Sequence, residues 1–558
     1  MPSFDLVSRP WLPVQRLDGT TAELSLREVF AEAATLRRLV GDVPTQEFAL
    51  MRLLLAILHD ALEGPALLED WEELWEDPDS FAAVGRYLDR HREHFDLLHP
   101  RTPFYQVADL RTEKDEVASL NRLVADVPNG DPFFSMRMPS VERLSFAEAA
   151  RWLVHAHAFD TSGIKSAAVG DGRGRNGKVY PLGTGWAGGL GGVLAEGDDL
   201  RETLLLNLVA ADTPGARFRP EDRPAWRRGP YGAEQDREVA DPTQRPSGPR
   251  DLYTWQSRRI RLHHDGSAAT GVVLSYGDPL APHDRRFTEP LSGWRRSRPQ
   301  ERKLGRTPVY LPRQHDPARS AWRGLPALLE SRVTPVDGRK GEPPETQTPL
   351  VLEWVARLSV DGALDSGRLI RARTVGVVYG TQQSVIDEVL DDGVTLAVIL
   401  LHEGDSAYRQ DAVSAVRDAE GGVRALVDLA VGLAQAAGTE ADGPKAVVAE
   451  RGYAELDGPF RLWLRELGRR TDPGQALAEW RLDARRILGA LGAELVDTAP
   501  RAAREGRVVV RRNGGRIWLN DTLAFLWFRS ALARALAGPT PPEAPGGNDD
   551  DSLENDDR

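Results

Sequence analysis

The sequence predicts an α+β protein, with a large mixed N-terminal domain of loops and small sheets over residues 1–402 and a C-terminal four-helix bundle over 403–537. Three observations predict it. The chain opens on an alternating apolar–polar pattern, its middle is repeatedly broken by Gly and Pro, and after about residue 404 the apolar spacing turns helical and stays so.

The opening stretch FDLVSRPWLPVQRLDGTTAELSL alternates around Asp18–Gly19 and reads as a β-hairpin. From Leu26 to about Leu62 the apolar positions recur at helical spacing, so helices follow, and 71–98 continues in helix with a break near Pro78. Residues 108–250 are irregular, interrupted by helices at about 146–158 and 199–210. The segments 252–263 and 269–276 read as strands, 331–347 as a polar loop, and strand-like patches within 366–401 flank the loop GTQQS. The four segments 405–437, 443–470, 474–497 and 516–537 are amphipathic and bounded by Gly or Pro, and short links between long helices favour a bundle. The tail 538–558 is too polar to fold and is expected to be a disordered acidic tail.

The 558 residues are 41% hydrophobic and 28% charged, a globular composition, and no apolar run is long enough for a membrane span. The N-terminus lacks the order of a signal peptide, and the absence of cysteine excludes disulfides and thiolate metal sites. A cytoplasmic protein without a cofactor is expected. The net charge is −13, but it is unevenly spread: the tail carries seven acids against one Arg, whereas 251–320 carries thirteen Arg and Lys against seven Asp and Glu. That basic middle fits either a local nucleic-acid surface or a solvated arginine-rich face.

The stretch GDGRGRNGKVY at 170–180 comes within one residue of a phosphate-binding P-loop, with Gly172, Gly177 and Lys178 in place and Val179 where Ser or Thr should hold Mg²⁺. Pro181, Gly183 and Gly185 prevent the helix that such a loop must open, which also removes Gly172–Gly174–Gly177 as a dinucleotide fingerprint. A nucleotide-binding enzyme built on Gly172–Lys178 is therefore the weaker alternative. What remains is backbone that lets a ligand approach, with Arg173, Arg175 and Lys178, suited to a polyanion backbone or to no ligand at all. His91 with His94, and His155 with His157, lack metal-ligand spacing, and partly buried helix histidines are expected. No nucleophile elbow is present. Gln382 and Gln383 in GTQQS could read base edges or form an ordinary polar turn.

FDLVSRPWLPV at 4–14, FDLLHPRTPFYQV at 95–107, DLRETLLLNLV at 199–209, LYTWQSRRIRL at 252–262 and VVYGTQQSVIDEV at 377–389 occur in one order across the chain. In this series the sequence resembles the CasA family, large subunits of the type I-E CRISPR surveillance complex Cascade. The resemblance implies a non-catalytic subunit that reads the protospacer-adjacent motif (PAM) of double-stranded DNA from the minor groove and promotes opening of the duplex for the guide RNA. It implies as partners the 5′ handle of the CRISPR RNA, the other Cascade subunits (small-subunit dimer, handle-binding subunit and backbone subunits) and a recruited helicase–nuclease, with no membrane partner.

Residue by residue, the family's glutamine wedge corresponds to Gln383, flanked by Gln382 and Ser384, and its glycine loop to Gly170–Gly177. Its lysine finger falls at Arg285 or Arg286, where a planar guanidinium would bond groove acceptors differently from an ammonium. Its handle-contacting loop corresponds to NGDPFFSMR at 129–137, with Asn129, Phe133 and Phe134 as the implied contacts. The cysteine zinc knot of some relatives has no counterpart here. A purely structural scaffold subunit is the other reading that the helical region leaves open.

Overall fold

A computed structural model describes residues 2–125, 127, 140–236, 245–329, 343–402, 406–510 and 514–537. The chain divides into two units, one made of residues 1–412 with 464–470, the other of 413–463 with 471–558.

In the first unit, strands β1 (Leu12–Arg16) and β2 (Thr21–Leu24) form the expected hairpin around Gly19, whose φ of 88° suits a residue without a side chain. Helices are expected over Leu26 to about Leu62, and Leu26–Ala31 and Pro44–Ala61 are helical, but a strand lies between them. Leu36–Leu39 forms β3, which pairs with β1 and buries Leu36 and Leu39, so cross-strand burial overrides the helical spacing there. Pro44 then opens helix α1 (Pro44–Ala61), as a residue without an N–H is free to do at a first turn. Helix α1 is buried along almost its whole length and forms the centre of this unit. Arg52 on it makes a bidentate ion pair of 2.8 Å with the fully buried Glu289. Helix α2 (Phe146–Phe159) packs beside α1 and starts from a Ser145–Glu148 capping box.

Three strands build the sheet that carries the site. β4 (Gly192–Glu196) lies on one side; further on, β5 (Arg258–His264) and β6 (Ala269–Tyr276) make a separate hairpin; β7 (Leu369–Tyr379) and β8 (Ile386–Ala397) complete the sheet in the order β8–β7–β4, all antiparallel. The expected strand at 252–263 begins only at Arg258. Pro249–Tyr253 is a short helix instead, with Asp222 accepting backbone N–H groups from Arg250 and Asp251 at its start. Of the polar loop expected at 331–347, residues up to 342 lie outside the described residues, and Thr346–Gln347 is a short strand.

The second unit is helical. Helices α3 (Ser406–Ala437), α4 (Asp442–Leu467), α5 (Pro473–Asp497) and α6 (Asp521–Ala535) supply it, α3 and α4 crossing into the first unit at their ends. Trp480 on α5 is buried, meets Phe460 edge-on at 5.1 Å and donates its indole N–H to the Ala415 carbonyl at 3.3 Å. Gly492 lets Phe528 come so close that a Cβ would stand 2.1 Å from its ring. The spacing predicts the fourth helical segment from 516. Instead Arg516–Leu519 pairs with Arg507–Val510 as a hairpin, because RVVV and RIWL are β-branched and aromatic, and α6 begins after the Asn520 cap. The tail 538–558 lies outside the described residues.

Candidate nucleic-acid interface

The P-loop-like stretch folds as a hairpin, not as a strand leading into a helix. Lys165–Ser166 pairs with Lys178–Val179, and Arg175 and Lys178 exchange backbone hydrogen bonds of 2.8 and 3.1 Å across the turn. The turn residues Asn176 and Gly177 have φ of 52° and 72°, the left-handed pair that a two-residue hairpin needs. Val179 is buried in the ladder, so the position of the missing Mg²⁺ ligand faces the core. Gly174 is held against Ala167, where a Cβ would come within 2.8 Å, and Gly170 has a φ of 94°, whereas Gly172 faces open space.

The three cations of this loop differ in their freedom. Arg173 holds the Asp171 carboxylate at 2.8 and 3.0 Å and the Gly277 and Tyr276 carbonyls at 2.7 and 3.0 Å, so its guanidinium is spent inside the protein. Arg175 and Lys178 are exposed and carry no ion pair among the described residues. Tyr180, 63% exposed, stands beside them, an aromatic that sequence reasoning passed over.

The glutamine loop is the tip of the long β7–β8 hairpin. Gly380 donates to the Val385 carbonyl at 3.1 Å, Gln383 to the Gly380 carbonyl at 2.9 Å, and the Ser384 hydroxyl to the Thr381 carbonyl at 2.8 Å. Gln382 and Gln383 both have a φ of 56°, an arrangement that costs about 1–2 kcal/mol per non-glycine residue. Both side chains are exposed and have no hydrogen-bond partner among the described residues.

The two loops share a base. Ser162, at the entry to the glycine hairpin, donates its N–H to the Gln383 carbonyl at 2.7 Å, and the buried Tyr379 hydroxyl donates to the Phe159 carbonyl at 2.6 Å. Beneath them Asp160 is paired with Lys165 at 2.6 Å and with Arg258. Burial pushes the Asp160 carboxyl up, but Lys165 and Arg258 more than offset this and hold it below its ordinary range. The Lys165 ammonium is pulled below its ordinary value, first by burial. His155 and His157 are more deeply buried than expected. His155 pairs with the Thr45 hydroxyl and His157 with the Tyr105 carbonyl, both at 2.9 Å, and burial lowers each to about 3.

Arg285 and Arg286 belong to a separate group of side chains. Arg286 lies over the rings of Phe287 at 4.4 Å and Tyr310 at 5.0 Å, and Arg217 stacks over Phe287 at 4.3 Å. Arg285 is half-buried, donates to the Ala281 carbonyl at 3.3 Å, and desolvation lowers its pKa. The basic surplus of 251–320 is partly internal, since Arg258, Arg259 and Arg296 are buried in ion pairs with Asp160, Asp278 and Glu301. Its exposed remainder includes Arg295, Arg302 and Lys303, which the composition did not single out. Asn129, Phe133 and Phe134 lie outside the described residues.

This architecture recurs in solved structures. A crystal structure of Thermobifida fusca Cse1 is 54% identical over 97% of this chain and 99% of that one, with a TM-score of 0.88. Cse1 from Acidimicrobium ferrooxidans is 31% identical over 96% of this chain and 98% of that one, with a TM-score of 0.79. A chain of a CRISPR RNA-guided surveillance complex shares the fold at 20% identity, over 95% of this chain and 100% of that one, with a TM-score of 0.68. A Thermus thermophilus CRISPR-associated protein CasA/Cse1 is 30% identical over 336 residues, 58% of this chain. That match spans 60% of the relative's own length. Fold and sequence together define a CRISPR-associated protein. The chain belongs to the CRISPR-associated protein Cse1 family, which is matched over residues 5–491.

Proposed function

We propose that the protein is the non-catalytic large subunit of a type I-E CRISPR surveillance complex that inspects duplex DNA for the PAM and helps open it for guide pairing. The observation that carries this reading is the pair Gln382 and Gln383, exposed at a hairpin tip in left-handed backbone and hydrogen-bonded through Ser162 to the root of a cationic hairpin. Backbone held off its preferred region persists only where the surroundings over-determine it, and such positions cluster at functional sites.

In this reading Arg175 and Lys178, with the backbone of Gly170, Gly172, Gly174 and Gly177, meet the DNA phosphates, which position the duplex without reading it. Arg173 shapes the loop from within. Gln383, flanked by Gln382 and Ser384, enters beside the PAM and offsets part of the few kcal/mol that unstacking a base step costs. Arg285 or Arg286 reads groove acceptors, and the degenerate minor-groove pattern tolerates more than one PAM. The loop 129–137 contacts the guide handle, α3–α6 form a four-helix bundle that docks the small subunits, and the first unit helps recruit the helicase–nuclease. The names of the relatives, Cse1 and CasA, support this assignment. The alternative of an ATP site on Gly172–Lys178 has lost its support, since the stretch is a hairpin with Val179 buried.

The test is a gel-shift of the complex, reconstituted with and without this subunit, on duplexes with an intact or scrambled PAM. Preference for the intact PAM only when the subunit is present supports the reading. A preference that is absent, or independent of this chain, replaces it with a scaffold role.

A further inference from the structure

The excursion 161–183, which carries the cationic hairpin, is closed at its neck by one side chain. Arg258, with its side chain 2% exposed, donates to the Asp160 and Thr161 carbonyls at 3.0 and 3.1 Å where the excursion leaves, and to the Gly183 carbonyl at 3.0 Å where it returns. The Gly185 N–H reaches the Asp160 carbonyl at 2.8 Å, a second tie across the same neck. Lys165, 6% exposed, bonds the Asp160 carboxylate from the first strand of the hairpin. Both cations lie against the Tyr276 ring, Arg258 at 4.8 Å and Lys165 at 5.3 Å, and the Tyr276 hydroxyl donates to the Gly163 carbonyl at 2.8 Å. Within this neck stands Ser162, whose N–H holds Gln383.

Two buried cations share one carboxylate here. Such a cluster is expensive to bury and is weak support for stability as such. What it supplies is geometry, because charge-assisted bonds to backbone carbonyls and to one carboxylate leave the neck a single arrangement.

We infer that Asp160, Lys165 and Arg258 are positioning residues that lock the cationic hairpin to the Gln383 tip, so that docking of the phosphates places the glutamine for strand opening. This rests on the function proposed above. Neither Lys165 nor Tyr276 is placed on the DNA in that reading, so altering them separates docking from opening.

The experiment uses the reconstituted complex and follows PAM-duplex affinity together with the rate of opening, read by a fluorescent base analogue beside the PAM. Lys165→Met removes one tie and leaves the Asp160–Arg258 pair intact. Affinity is expected to stay within about twofold, while opening slows by about tenfold, the order expected for losing one charge-assisted hydrogen bond from the barrier. Lys165→Arg restores much of the rate by restoring the pair. Tyr276→Phe removes the hydroxyl and its bond to Gly163, changes no charge, and decides the matter if Lys165→Met does not fold; opening slower at unchanged affinity is again expected. Affinity and opening falling in parallel, or neither changing, overturns the inference. An unaltered complex that shows no PAM-dependent opening overturns instead the function on which it rests.

Discussion

Gln382 and Gln383 hold a backbone that glycine would adopt without strain, and they bring to it a long amide that glycine lacks. Replacing Gln383 by Ala leaves the backbone requirement as it was, so the melting temperature should change little, by the equivalent of about 0.5 kcal/mol or less. Strand opening should slow more than initial binding weakens, because a wedge acts after encounter. Unchanged opening in a stopped-flow assay would remove Gln383 from the mechanism. The cations of the glycine hairpin divide by their partners. Arg173→Ala leaves the Asp171 carboxylate, whose side chain is 1% exposed, without its guanidinium, and should destabilise the first unit by roughly 3 kcal/mol in urea unfolding. Arg175→Ala and Lys178→Ala should leave stability alone and flatten the salt dependence of duplex binding, by about 0.9 in log–log slope for each phosphate no longer neutralised. The types of these residues were readable from the sequence. Their division was not, because Asp171, Tyr276 and Gly277 reach Arg173 only through the fold.

At the level of the element, the glycine hairpin shows what spacing leaves out. The same letters that come near a P-loop contain Asn176–Gly177 between Arg175 and Lys178, which is the signature of a two-residue turn. That dipeptide was the available signal, and the near-match at Gly172 and Lys178 masks it. Within the element the glycines are unequal: Gly174→Ala would drive a methyl to 2.8 Å from the Ala167 Cβ and should cost about 1–3 kcal/mol, whereas Gly172→Ala meets nothing within 4 Å and should be silent in thermal unfolding. Equal melting temperatures would show that the loop yields around Ala167. The strands flanking GTQQS were legible because both are β-rich runs beside a Gly-led break. Between Leu26 and Leu62 the expected helices are present at both ends, and the strand at Leu36–Leu39 was not legible because LRRL fits either period and only pairing with β1 decides it.

Across the whole molecule, the change of apolar period near residue 404 was the most legible feature, and the helices α3 to α5 start within a few residues of the expected positions. The charge of 251–320 was the least legible, because composition counts a buried Arg259 and an exposed Arg302 alike. The same limit applies to the histidines, and it has a consequence for acid. His59, His155 and His157 are buried and neutral, each lowered from 6.5 to about 3, with desolvation as the leading cause. Below pH 6.5 the unfolded chain takes up these protons while the folded chain does not. The stability they contribute is therefore complete above that value and is lost as pH falls towards 3. By pH 4.5 each should have lost on the order of 3 kcal/mol. Thermal unfolding followed from pH 7.5 downwards should show the midpoint falling once pH drops below 6.5, and His155→Gln should make that fall shallower. A midpoint indifferent to pH would mean that these rings are protonated in the fold.

The Asn176–Gly177 turn also gives the protein a clock. Glycine offers no side chain to shield its N–H, so an exposed Asn–Gly bond is where an asparagine amide cyclises and hydrolyses most readily, leaving aspartate or its β-linked isomer. The exposed turn places that reaction between Arg175 and Lys178. Each deamidated molecule carries a carboxylate between two exposed cations and, in the β-linked form, one extra backbone methylene in the two-residue turn. Aged preparations should therefore bind duplex more weakly than fresh ones while melting at nearly the same temperature, and Asn176→Gly should retain its affinity on storage.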